Sequence, residues 1–155
     1  MGSTGAGKTY LSKKLSKKYN IKSYELDRIV YDQNNLTKHR TDKEIDKDFN
    51  RIINQDNWII EDIGRKRFVK GRDKADKIYY IKMSKIRLYK QMIKRWINQR
   101  KGKEDYNLCP SIRNLVKQLK DINNYKEFEK ELLKSFEDYE NKVAYLDKED
   151  IKRLQ

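Results

Sequence analysis

The chain holds one cysteine, one proline, one histidine and six glycines in 155 residues, and each scarcity removes a class of protein. Cys109 alone can close no internal disulfide and stands in no Cys-x-x-Cys spacing, and with His39 the only histidine a zinc site lacks its ligands. His39 sits in the polar stretch 34–40 with no serine or cysteine elbow beside it, so a hydrolytic triad is missing its parts. No apolar run approaches the roughly 18 residues needed to span a bilayer, and the opening residues are glycines rather than a basic segment followed by an apolar one. These absences lead to the expectation of a cytoplasmic chain with no membrane partner. Leu, Ile, Val and Phe supply 36 of the 155 residues, enough for a modest core in a single domain over 1–155.

What is abundant is positive charge. The formal net charge is +14, and it is concentrated: residues 65–103 carry sixteen basic and two acidic side chains, while the segments on either side nearly balance. Such an excess points to an anionic partner. A solvated helix face is the bland alternative; an excess with so little acidic relief is better explained by a phosphate-rich ligand.

Four short β-type runs, Lys22–Leu26, Trp58–Asp62, Lys77–Met83 and Lys142–Leu146, alternate with helical patterns, which predicts an α/β layered domain with a mainly parallel sheet. Leu11, Leu15 and Tyr19 mark one helix face. Thr41 and Glu44 form a capping box ahead of Ile45, Phe49, Ile52 and Ile53. Ser84 is the expected N-cap of a basic helix that turns Ile86, Tyr89, Ile93, Trp96 and Ile97 to the core. After a break over Gly102 and 105–110, two more helices are expected, one over Ile112–Ile122 and one over Phe128–Tyr139.

The segment Gly2-Ser3-Thr4-Gly5-Ala6-Gly7-Lys8-Thr9 fits GxxxxGK[ST], the Walker A loop, and leads into the first predicted helix. Glycines let backbone N–H groups approach phosphates, the helix N-terminus adds partial positive charge, Lys8 neutralises β/γ oxygens and Thr9 offers a hydroxyl to Mg²⁺. The expected nucleotide-binding residues are therefore Gly2, Gly5, Ala6, Gly7, Lys8, Thr9 and Tyr10, for ATP or GTP with Mg²⁺. Such a loop normally follows a buried strand, and here only Met1 precedes Gly2. The expectation is a start downstream of the natural one, because losing a central parallel strand strands ladder groups on both neighbours.

Asp27 closes the second expected strand, where functional groups of α/β sheets gather. It is placed either to meet Mg²⁺-linked water or an acceptor hydroxyl, or to serve as a turn or N-cap aspartate. Glu61 and Asp62 follow Trp58-Ile59-Ile60 as a metal-facing carboxylate would, and because adjacent strand residues face opposite ways the sequence does not choose between them. Arg95 and Arg100 are the first candidates for a catalytic lid, within a segment at about 84–110, with Arg87 and Arg113 behind them.

With that loop, Leu26-Asp27-Arg28, Trp58-Ile59-Ile60, Ala75-Asp76, Lys94-Arg95…Arg100 and Cys109-Pro110 in order, the chain resembles adenylate-kinase-like P-loop proteins, closest to the bacterial DNA topology modulation proteins. The resemblance implies a three-layer α/β/α P-loop kinase fold, ATP or GTP with Mg²⁺, and a small phosphoryl acceptor. It carries Lys8, Thr9 and Asp27 over directly. It departs at Glu61-Asp62-Ile63-Gly64, where the family tends to show Asp-Gly-Asn-Tyr, and at Ile81-Lys82-Met83-Ser84, where it tends to show an acidic residue and a proline. The leading expectation is thus a phosphotransferase. A nucleic-acid binder using 65–103, or an inactive fragment, are the alternatives.

Overall fold

The computed structural model describes residues 1–32, 38–103 and 110–153; Cys109 lies outside them, as do most of the predicted break after Gly102 and part of the polar stretch before His39. In chain order the elements are α1 (Lys8–Tyr19), β1 (Ser23–Glu25), α2 (Asp27–Val30), α3 (Asp42–Ile53), β2 (Ile59–Glu61), α4 (Val69–Lys74), β3 (Ile78–Ile81), α5 (Lys85–Arg100), α6 (Ile112–Ser135), β4 (Val143–Leu146) and α7 (Lys148–Arg153). Short 3₁₀ turns, Lys66–Phe68 and Glu137–Tyr139, lead into α4 and toward β4.

Among the described residues both strand pairs are parallel, and an isolated bridge between Tyr31 and His39 is antiparallel. β1 pairs with β2, setting Ser23 against Ile59, and β3 pairs with β4, setting Ile78 against Val143. Each pair is joined through helices, as parallel neighbours require. The expected α/β class and the parallel strands are present, but the single sheet is not: there are two separate two-stranded sheets. Met1 lies along β3, its nitrogen donating to Tyr79 O at 2.5 Å and its carbonyl accepting from Ile81 N–H at 2.9 Å.

The core is correspondingly divided. One cluster joins Leu11 and Leu15 of α1 to Ile81, Leu88, Met92, Ile122 and Leu146; a second gathers Leu26, Ile45, Phe49, Ile53 and Phe68; a third holds Ile78, Tyr80, Leu132 and Phe136. The capping box starts α3 as expected, with Thr41 N–H donating to Glu44 Oε2 at 3.0 Å and Glu44 N–H to Thr41 Oγ1 at 3.4 Å.

Three helical expectations are corrected. Ser84 does precede α5, but that helix buries Leu88 and Met92 and leaves Ile86, Ile93 and Ile97 exposed. The helix is turned so that its contact with the glycine loop, and Tyr89 bonding Asn123 of α6 at 2.6 Å, are made together. The two helices expected after residue 110 are one, α6, of 24 residues and about 36 Å. Its interior lacks glycine and proline, Ser111 caps its start by accepting from Asn114 N–H, and Asn123-Asn124 is too weak a breaker to stop it. Tyr19, expected on the apolar face of α1, lies exposed in its last turn. No helix among the described residues is long and apolar enough to cross a membrane.

Candidate functional site

Residues 2–7 form a tight loop between Met1 and α1, and its first glycine is obligatory. Gly2 has φ +141°, and a Cβ there would stand 2.9 Å from Ile81 O of β3. Ala6 N–H closes the loop on Ser3 O at 3.1 Å. Helix α1 then begins after Gly7, in the left-handed region, with no side chain capping it and no acidic residue in its first turn. The amides of that turn therefore lack an internal competitor for an anion.

Three side chains of α1 define the floor. Lys8 Nζ donates back to Ser3 O at 2.9 Å; burial lowers its pKa, against the pull of Glu61, Asp27 and Asp62. Thr9 Oγ1 donates to Glu61 Oε1 at 2.8 Å, and Ser12 Oγ reaches Glu61 Oε2 at 3.3 Å. Burial pushes the Glu61 carboxyl up from its ordinary value, with the Thr9 bond and Lys8 opposing. Ser3 Oγ is buried with no partner among the described residues.

Glu61 and Asp62 turn to different neighbours. Glu61 turns to α1, whereas Asp62, with a side chain only 1% exposed, accepts from Gly64 N–H at 2.7 Å and Arg65 N–H at 2.6 Å and pairs with the Arg65 guanidinium. Gly64 permits that turn: φ is +105°, and a Cβ there would fall 2.4 Å from Leu132 Cδ2. The other arm of Arg65 reaches Asp27, the exposed first residue of α2. Burial works against the charge on Arg65, yet Asp62 and Asp27 outweigh it and raise its pKa. Asp27, Arg65 and Asp62 thus form one chain of charges at the carboxyl ends of β1 and β2.

Of the expected site residues, Gly2, Gly5, Ala6, Gly7, Lys8, Thr9, Glu61, Asp62 and Asp27 are gathered here. Tyr10 is not: it is exposed and outside these bonds. Nor do Arg95 and Arg100 take part. Gly5 meets α5 at Met92, while Arg95 and Arg100 are exposed beyond it, Arg100 lying over the Trp96 ring at 5.1 Å. Trp96 Nε1 in turn donates to Pro110 O at 2.8 Å. Arg65, Ser3 and Ser12 were not anticipated, although Ser12 follows Thr9 at the i+3 spacing of one helix face.

The basic segment 65–103 is not one phosphate-facing surface. Arg65 serves Asp27 and Asp62, Lys66 pairs with Glu131, and Arg67 with Asp42 and Asp46. Arg72 is buried against Ser135, and Lys74 bonds Asn54. Exposed cations remain on the outer face of α5, among them Arg87, Lys90, Lys94 and Arg95, and scattered over Lys70, Lys77, Lys82, Lys101 and Lys103. The structure lends a nucleic-acid role no support.

A magnesium ion suits the donors present. Thr9 hydroxyl and Glu61 carboxylate are hard oxygens on adjoining elements, and this ion typically takes one or two carboxylates with the rest of its shell from water and phosphate. No cluster of three or more His, Cys, Asp or Glu is found among the described residues, in keeping with so sparse a set.

No protein-family model and no curated protein sequence matches the chain. A solved structure does: a gluconokinase from Sinorhizobium meliloti 1021, 15% identical, with a TM-score of 0.52 over 95% of this chain and 79% of that one. At that identity the likeness shows the fold alone, an α/β domain with parallel strands, and leaves the chemistry to the site.

Proposed function

We propose that the chain is a P-loop phosphotransferase that binds ATP or GTP with Mg²⁺ through a Walker A loop and transfers the terminal phosphoryl group to a small acceptor. The observation that carries this reading is the Thr9–Glu61 bond at the open N-terminus of α1, beside a half-buried Lys8. Loop amides and Lys8 bind the phosphates, and Lys8 exchanges its bond to Ser3 O for the anion it neutralises. Thr9 and Glu61 hold the magnesium ion, which when bound neutralises phosphate charge.

Asp27 orients the acceptor hydroxyl and takes its proton. A new P–O bond forms to that oxygen as the bond to the nucleoside diphosphate breaks. Arg65 positions Asp27 by holding it in register with Asp62. Arg95 and Arg100 belong to this reading only if α5 moves, as a closing lid would. The order of landmarks shared with the DNA topology modulation proteins supports placing the chain near that group.

Calorimetry with Mg·ATP and Mg·GTP on the chain and on Lys8→Ala tests the reading. Saturable binding of either nucleotide that the substitution removes is the expected result. Equal binding by both proteins would overturn it.

A further inference from the structure

Every exposed isoleucine among the described residues lies on α5 or α6: Ile86, Ile93 and Ile97 on the first, and Ile112, joined by exposed Val116, on the second. Ile86 is 67% exposed and Ile112 63%. Apolar side chains gathered on two packed helices, rather than scattered singly, mark an interaction surface.

Helix geometry sets these rows side by side. α5 meets α6 through Lys85 and Tyr89, both bonded to Asn123 Oδ1, and through Trp96, which donates to Pro110 O just ahead of α6. Residues 85, 89 and 96 share one face of α5, and Leu88 and Met92 lie to one side of that face, in the core. Ile86, Ile93 and Ile97 lie to its other side, about a quarter-turn round, and face solvent. On α6, Ile112 and Val116 stand in the same row as Asn123, at spacings of four and seven. The bonds run antiparallel, 85 and 89 against 123 and 96 against 110, so this row passes beside Ile93 and Ile97.

Cations rim the apolar seam on both flanks. Arg87, Lys90 and Lys94 follow it along α5, and Arg113, Lys117 and Lys120 along α6; all are exposed, and none has an ion-pair partner among the described residues. Neither 85–103 nor 110–120 contains an acidic residue.

We propose that this two-helix face docks an amphipathic helix of another protein, one apolar row flanked on both sides by acidic residues. Ile86, Ile93 and Ile97 follow the seven- and four-residue steps by which helices pair along a narrow seam. Cations on both flanks, with no acid among them, complement acids on both flanks of the incoming helix. A second copy of the chain meeting through the same face would instead set these cations against their own kind, with a net charge of +14 on each partner. The inference stands on the packing of α5 against α6 and is independent of nucleotide binding.

The test uses a synthetic peptide of three heptads, with Leu at positions a and d, Glu at e and g, and Ala or Gln elsewhere. It is titrated into the whole chain by calorimetry, beside the same peptide with each Leu replaced by Ser. The Leu peptide is expected to bind saturably and the Ser peptide at least about ten-fold more weakly. Ile93→Gln and Lys94→Glu are each expected to weaken the Leu peptide by about five- to ten-fold with the melting temperature unchanged, and amide shifts on binding should centre on Ile97 and Val116. No binding of the Leu peptide, equal binding of the two peptides, or equal binding by the chain and both variants overturns the proposal. Vesicles of phosphatidylcholine and phosphatidylserine are the companion probe. Adsorption that Ile93→Gln reduces, without peptide binding, assigns the face to a lipid surface and overturns the helix as its occupant.

Discussion

The loop with the ends of β1 and β2, and the helix α5, are both rich in ionisable side chains, and they use them in opposite ways. Around the loop the charges are few and each has a partner: Lys8 on Ser3 O, Glu61 on Thr9 and Ser12, Asp62 and Asp27 on Arg65. Along α5 the cations are many, exposed, and unaccompanied by acids of their own helix. The first arrangement draws Lys8 and Glu61 out of water and shifts their pKa values, as functional sites do; the second leaves its cations solvated. Where charge is held, rather than how much there is, separates a site from a surface.

The largest effect expected from breaking that contrast is on Lys8. Lys8→Ala should lower nucleotide affinity or turnover at least about a hundred-fold, whereas Lys94→Ala, in the solvated group, should leave calorimetric binding unchanged. Next comes the buried pair. Asp62→Ala leaves half-buried Arg65 with only the exposed Asp27 and removes the acceptor of two turn amides, and should cost about 3 kcal/mol in urea unfolding. A loss near zero would mean that the turn 62–65 holds itself.

The third test uses pH. The Met1 amine titrates near 8 in the unfolded chain and about 5 in the folded one, so between those values only the unfolded state is protonated. Stability should therefore fall as pH drops from 8 to 5, by up to about 1.4 kcal/mol per unit, and level off below. Acetylating the amine should flatten that slope. Glu61 acts in the opposite sense: its raised pKa favours the protonated folded form, so ionisation costs stability as pH rises through it, and Glu61→Gln should remove that dependence.

A last pair of substitutions separates the two faces of α5, and one of them carries the smallest effect. Met92→Ala should cost about 2–5 kcal/mol, because Met92 is buried against the loop. Ile93→Gln, one residue on, should change thermal stability by no more than about 0.5 kcal/mol.

That last pair also marks where sequence reading stopped. The periodicity of 86, 89, 93, 96 and 97 describes a plausible apolar face, yet a rotation of the helix brings Leu88 and Met92 inward instead. Isoleucines recur on both sides of the helix, and only the neighbours, Gly5 on the loop and Asn123 on α6, decide which side is covered. The Thr41–Glu44 box, by contrast, was legible because all its bonds lie within four residues. The same holds for the glycine loop and for Lys8 and Thr9 opening α1. Arg65 was hidden in a basic run whose members differ only in what lies opposite them.

Sequence alone determined the four strand segments to within a few residues, the parallel α/β class, and the loop that opens α1, since each rests on local spacing or on glycines with special backbone angles. The tertiary structure decided which of two adjacent carboxylates meets Thr9, which face of α5 is covered, and that the strands form two pairs rather than one sheet. Those outcomes depend on groups distant in the chain meeting across burial and charge, and no spacing in the sequence encodes such meetings.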